Sequence, residues 1–211
     1  SMAHASEAGC AMGVDVGNPI YAVIGYRLDR GRYKIIKTAR VPNWGELHDL
    51  ANRFNVKSAV IDAQPEYHKA REFQSEEPYA VYLCYYSEHQ KVFDVWSQSP
   101  ENIVKVNRTE IFDATRDMVR EPGVLILPRV CEEMKVFAHQ MTRSVRVMET
   151  DKRTGAGIYR YRTRGDKEDH YRNTLNYYLL ACKKVGVPLT RATAKRRVIT
   201  QDMSYTIGVS R

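Results

Sequence analysis

Apolar positions along this chain follow two periods, and the switches between them mark its elements. Residues 12–17 read as a short apolar strand, 20–28 as a second of mixed polarity and 33–41 as a third, the last two separated by the turn-like Asp29-Arg30-Gly31-Arg32. Three strands in succession with tight connections predict an antiparallel meander. Asn43-Trp44-Gly45-Glu46 then has the form of a helix capping box, and Leu47, Leu50, Ala51 and Phe54 follow at helical spacing. Residues 57–62 form a compact apolar run suited to a buried parallel strand. Few folds open in the order β-β-β-α-β.

Further on, residues 67–74 read as a short helix and 79–86 as a strand rich in aromatic side chains. Asn107-Arg108-Thr109-Glu110 repeats the capping pattern, and Ile111, Phe112, Thr115, Met118 and Val119 continue it as an amphipathic helix stopped by Pro122-Gly123. Residues 124–127 are extended, and 132–141 form a helix with Met134, Phe137, Ala138 and Met141 inward. Alternation in 144–163 around Thr154-Gly155-Ala156-Gly157 predicts a β-hairpin. A last helix spans about 167–184, with Tyr171, Leu175, Tyr178, Leu179 and Cys182 on one face. There is no repeat and no low-complexity tract.

Length and composition place these elements in one domain: 211 residues, 43% hydrophobic and 27% charged, are ordinary for a globular chain with a sizeable core. No run approaches the roughly 18 apolar residues of a membrane span, and no signal peptide is visible. Ser1-Met2-Ala3-His4 reads as a cloning scar, so residues 1–11 are expected to be scar and linker, 12–187 the domain, and 188–211 a polar basic tail. Cys10, Cys84, Cys131 and Cys182 form no CxxC pair and have no histidine at zinc-ligand spacing, which points to reduced, mostly buried thiols.

The net charge is +8, and its distribution says more than its size. Residues 143–164 hold seven Arg/Lys against two Asp/Glu, and 183–211 hold seven against one, leaving the remainder at −3. Positive charge confined to the last third favours a polyanionic partner over a basic surface kept for solubility, which would be spread evenly.

Against this background three carboxylates stand out. Asp15 lies in Gly13-Val14-Asp15-Val16-Gly17, with Val14 and Val16 on the opposite face of the strand. Asp62 ends the run Ser58-Ala59-Val60-Ile61-Asp62, at the carboxyl edge where open α/β folds bind ligands. Asp169 opens the last helix. Singly, each has a bland explanation: Asp15 as a turn cap beside Gly17, Asp62 as a turn initiator, Asp169 as a first-turn acid favoured by the helix dipole. Jointly, acids delivered from neighbouring strands and a remote helix would repel one another unless a divalent cation lay between them. The expected cofactors are two Mg²⁺ or Mn²⁺ ions in a two-metal phosphodiester hydrolase, with Asp166 a possible further ligand. Glu66 and His170 are close enough in sequence to serve as outer ligands or proton carriers, although such side chains are more often exposed or structural. Phosphate contacts are expected from Arg146, Lys152, Arg153, Arg160, Arg162 and Arg164.

With these residues assembled, the chain resembles the C-terminal nuclease domain of the large terminase subunit of tailed double-stranded DNA phages. The likeness covers roughly residues 12–185. It rests on Gly-Val-Asp-Val-Gly at 13–17, Ala-Val-Ile-Asp-Ala at 59–63, Val-Asn-Arg at 106–108, Leu-Ile-Leu-Pro-Arg at 125–129 and Asp-His-Tyr-Arg-Asn-Thr-Leu-Asn-Tyr at 169–177. The resemblance implies a ribonuclease-H-like α/β fold, an antiparallel meander followed by parallel strands and flanked by helices, with an additional basic hairpin near DNA. It implies Asp15, Asp62 and Asp169 as metal-binding acids and cleavage of concatemeric double-stranded DNA with little sequence preference. The implied partners are DNA, the portal protein and the small terminase subunit, at the procapsid in the host cytoplasm. The chain contains no GxxxxGK[ST] phosphate loop, so the implied packaging ATPase domain would lie upstream.

Three other readings share some features. A junction resolvase or transposase-like nuclease uses a similar fold and acids. A sugar-kinase or actin-like ATPase also ends its first strand in an Asp-x-Gly turn, but would need glycine-rich phosphate loops for which Gly155-Ala156-Gly157 is the sole candidate. A non-catalytic DNA-binding or portal-docking module would carry the acids as relics.

Overall fold

A computed structural model describes residues 9–29, 31–98, 100–151, 154–165 and 168–186. Its first strands are β1 (Cys10–Asp15), β2 (Ile20–Arg27) and β3 (Tyr33–Val41), an antiparallel meander in which Asp15 faces Tyr21 across β1 and β2. α1 (Trp44–Arg53) follows, then β4 (Val56–Asp62), which returns parallel to β1 on its other side. After α2 (Tyr67–Glu76) come β5 (Ala80–Ser87), β6 (Asp94–Trp96), β7 (Ile103–Asn107), α3 (Arg108–Arg120) and β8 (Leu125–Ile126). The eight strands form one mixed sheet in the order β6-β7-β5-β4-β1-β2-β3-β8. α4 (Glu132–Met141), β9 (Ser144–Thr150), β10 (Gly157–Thr163) and α5 (His170–Cys182) complete the described chain. β9 and β10 pair as a separate antiparallel hairpin where the alternation predicts one. This is a ribonuclease-H-like mixed α/β sheet flanked by helices. Among the described residues no helix is long and apolar enough to cross a membrane.

Local chemistry accounts for the helix starts. Asn43 accepts a hydrogen bond from the Glu46 amide (2.9 Å) and Asn107 one from the Glu110 amide (3.1 Å). Each satisfies an amide with no partner inside its helix, worth about 1 kcal/mol. β1 begins at Cys10, two residues before the predicted strand, and all six of its residues are buried. Its side chains serve two cores. Met12 and Val14 join Leu47, Leu50 and Phe73 on the α1/α2 side, while Ala11 joins Phe112, Phe137 and Tyr178 on the α3/α4/α5 side.

α5 lies against β1 at van der Waals contact because Gly13 has no side chain. A Cβ there would stand 2.2 Å from the Tyr178 amide nitrogen and 2.3 Å from the Thr174 carbonyl oxygen. The helix is buried on almost every side, not on the single predicted face: Arg172, Thr174 and Asn176 are buried along with its tyrosines and leucines. Their polar atoms are satisfied within the core, as where Asn176 Nδ2 donates to the Tyr86 hydroxyl (2.9 Å) and Thr115 Oγ1 donates to Asn176 Oδ1 (2.6 Å). β6 and β7 were not legible as strands. β6 has three residues, and the apolar alternation of β7 runs directly into the Asn107 cap.

Candidate active site at the ends of β1, β4 and α5

Parallel pairing of β1 and β4 aligns Gly13 with Val60 and Val14 with Ile61, so the next rung sets Asp15 beside Asp62. Neighbouring strands lie about 4.8 Å apart, and residues on one rung project to the same face. Val14 and Ile61 both fill the α1/α2 core, so the two carboxylates point to the other side, toward α5. Tyr21 and Cys84, the partners of Asp15 and Asp62 on the flanking strands, belong to the α3/α4/α5 core on that side.

Asp15 is only 5% exposed, and its carboxyl is pushed up to about 7. Burial is the main cause; the charges of Asp62 and Asp169 raise it further, while the bond to His170 opposes the rise. That bond joins His170 Nδ1 to Asp15 Oδ2 at 2.6 Å. The imidazole also stacks on Tyr21, ring centroids 4.5 Å apart. The carboxylate beside it holds the His170 pKa above the ordinary imidazole range. His170 is thus a direct partner of one site carboxylate.

The pKa of Asp62 is also raised by burial, opposed by the Gln64 amide, which donates to Oδ1 (3.0 Å), and by Tyr177. The amide contact is the turn expected of an aspartate at a strand end. The Tyr177 hydroxyl is buried and completes no hydrogen bond, yet it is near enough to favour the ionised form of Asp62. Among the described residues, Asp15 Oδ1 and Asp62 Oδ2 accept no hydrogen bond, so adjacent strands present two uncommitted carboxylate oxygens.

Asp169 is placed differently. It precedes α5 without capping it through its side chain. Ser144 Oγ (2.8 Å) and Thr163 Oγ1 (2.7 Å) donate to its Oδ2, and Asn173 Nδ2 (3.2 Å) to its Oδ1. It therefore ties the open end of the β9/β10 hairpin to α5, while its charge still acts on Asp15. Among the described residues no three His, Cys, Asp or Glu side chains are close enough to share one metal ion. Asp166, the possible further ligand, lies outside the described residues.

This donor set offers a divalent cation one free carboxylate oxygen from each of Asp15 and Asp62. Asp15 and Asp62 fit a hard ion such as Mg²⁺, which is commonly held by one or two carboxylates, with waters and substrate phosphate filling the other positions. Asp169 would fit only after releasing a hydroxyl. Glu66 is engaged elsewhere, accepting from Trp44 Nε1 (3.2 Å) at the start of α2.

The hairpin arginines are less available than a charge count implies. Arg160 pairs with Glu88 (2.6 Å), Arg162 with Glu149 (2.6 Å) and Arg146 with Asp113 (3.3 Å), and the Arg146 guanidinium also lies 3.9 Å from the Tyr159 ring centre. Arg164 has no carboxylate partner among the described residues. Lys152, Arg153 and the basic tail from 187 onward lie outside the described residues. Sequence reasoning missed Tyr21, Ser144, Thr163 and Tyr177. Only Tyr21 had a usable signal, since a tight β1–β2 connection pairs it with Asp15.

No protein family, curated protein or solved structure matches this chain.

Proposed function

We propose that this chain is a divalent-metal-dependent phosphodiester hydrolase acting on double-stranded DNA, and that it serves as the nuclease domain of a viral packaging terminase. The observation that carries the hydrolase reading is the strand register, which sets Asp15 beside Asp62, each with an uncommitted oxygen. The terminase reading rests on the motif order along the sequence, with the basic hairpin next to the acids. With that assignment come an ATPase domain upstream, a portal and a small subunit as partners, and the host cytoplasm as the place of action.

A bound divalent ion would lower the pKa of a coordinated water and neutralise charge on the phosphate. Asp15 and Asp62 would hold it. To do so Asp15 must be ionised, and its pKa of about 7 makes that a pH-controlled step. His170, on Oδ2, is placed to take the departing proton and to keep the carboxylate oriented. Ser144 and Thr163 fix Asp169 and, through it, the hairpin that would lie along the duplex.

The test is plasmid cleavage with Mg²⁺ or Mn²⁺. Wild-type protein should linearise DNA without strong sequence preference; Asp62→Ala should abolish cutting with an unchanged circular dichroism spectrum, and Glu66→Ala should cut at near wild-type rates. Cutting by Asp62→Ala would remove that residue from the site, and preference for branched junctions over linear duplex would favour a resolvase. The engagement of Asp169 by three side chains favours a second reading, a DNA-holding module without hydrolysis. Absence of cleavage with Mn²⁺ at any protein concentration would support it.

A further inference from the structure

Next to Asp169, and sharing Ser144 with its contact, lies a cavity of about 560 Å³ between α3, the end of α4, the hairpin and α5. Five guanidinium groups line it: Arg116, Arg120, Arg146, Arg164 and Arg172. Among the described residues no aspartate or glutamate does. Asp113 offsets Arg116 (3.0 Å) and Arg146 (3.3 Å), and Asp117 offsets Arg116 again (2.9 Å). Arg120, Arg164 and Arg172 have no carboxylate within 4.0 Å among the described residues.

Arg172 is the most unusual of these. It is 3% exposed, and its guanidinium donates only to neutral acceptors: Thr115 Oγ1 (2.5 Å), Asn176 Oδ1 (3.0 Å) and the Phe112 carbonyl (2.6 Å). It packs on the Phe112 ring, 4.5 Å from the centroid. Burial lowers its pKa only to about 10, so it stays charged at neutral pH. A buried cation without a counter-ion is costly, and an anion entering from the cavity would relieve it.

We infer that this cavity binds a terminal phosphate monoester, the chemical group that hydrolysis of a DNA strand leaves on the 5′ carbon. Water adds to phosphorus, the P–O3′ bond breaks, the 3′ oxygen leaves as a hydroxyl after gaining a proton, and the phosphate remains on the 5′ side. That product carries roughly 1.5 to 2 negative charges, against one for an internal diester. Three uncompensated guanidinium groups match the more highly charged end. Guanidinium forks also suit the several oxygens of a terminal phosphate. The origin of this ligand rests on the hydrolase reading, but its binding does not.

The experiment is fluorescence anisotropy in excess chelator, comparing one single-stranded oligonucleotide bearing a 5′-phosphate or a 5′-hydroxyl. Wild-type protein should prefer the phosphorylated end about ten-fold, the size of one charge-assisted contact. Arg120→Ala, at an exposed position, should lose most of that preference while keeping its circular dichroism spectrum and its affinity for the hydroxyl end. Equal affinity for the two ends in wild-type protein, or a preference that survives in the variant, overturns the inference. Displacement by thymidine 5′-monophosphate as tightly as by the oligonucleotide assigns the cavity to free mononucleotides; resistance to it assigns the cavity to strand ends. Either outcome keeps the terminal phosphate there. A wild-type protein that prefers the phosphorylated end yet cuts no DNA loses the hydrolase reading and keeps the cavity.

Discussion

His170 Nδ1 lies 2.6 Å from Asp15 Oδ2, fastening the first turn of α5 to the last residue of β1. The contact joins elements 155 residues apart in the chain and sets the protonation of both partners. Each carboxylate neighbour raises the proton affinity of Asp15, and His170 works against them.

Replacing His170 by Ala removes that opposition, so the Asp15 pKa should rise further. If cleavage needs ionised Asp15, half-maximal activity should move to higher pH, and a pH profile of Mn²⁺-dependent cutting reads the shift. The variant should also lose about 1–2 kcal/mol of stability, from one charge-assisted bond and the stack on Tyr21. An unmoved profile would show that Asp15 and His170 are not coupled in the working enzyme.

Stability should depend on pH in a defined direction. Asp15 holds its proton to about pH 7 in the folded chain, against 3.8 for the ordinary group, so the folded state binds more protons between those values. Stability therefore falls as pH rises across that window, by on the order of 4 kcal/mol for a shift of this size. Asp62, also raised, acts in the same sense. So does His170, whose raised pKa gives stability at low pH that is lost as its proton leaves. Urea unfolding at pH 5 and pH 8 should show wild-type protein losing stability and Asp15→Asn losing much less. An Asp15→Asn protein less stable than wild type at pH 8 would contradict this.

Gly13→Ala should be among the most damaging single-methyl additions available. The new Cβ would overlap backbone atoms of α5 at 2.2 and 2.3 Å, and backbone cannot rotate away as a side chain can. A loss of about 3 kcal/mol or more, or failure to fold, is expected from denaturant midpoints. Gly31→Ala, with nothing within 4 Å, is the control and should stay near neutral.

Much of this was legible in the sequence, and the exceptions share a cause. The meander, the β4 return and both asparagine caps follow from local periodicity and capping chemistry, which act within a few residues. Asp15 and Asp62 were identifiable because the period of a strand tells which face a side chain takes. The hydroxyls of Ser144 and Thr163 on Asp169 were not, since they depend on where a hairpin base meets a helix. Nor was the counter-ion deficit of Arg172, because a helical arginine reads as a solvated one until its neighbours are known. Sequence alone presents the hairpin as a basic DNA surface, because Glu88, Glu149 and Asp113 come to compete for its arginines only through the tertiary fold.

That competition gives a prediction of its own. Glu149 engages Arg162 at 2.6 Å, so Glu149→Gln should free Arg162, with Arg160 still held by Glu88 (2.6 Å), and strengthen duplex binding several-fold. Anisotropy titrations at several salt concentrations should show a steeper salt dependence for the variant than for wild type. Unchanged affinity and slope would place the DNA away from this face.

The most direct test is an anomalous diffraction map from crystals soaked in Mn²⁺ above pH 8, where Asp15 is ionised. The account predicts a peak bonded to Asp15 Oδ1 and Asp62 Oδ2, absent in crystals of Asp62→Asn. A map with no peak between these residues, their oxygens bonded to protein groups instead, would contradict it.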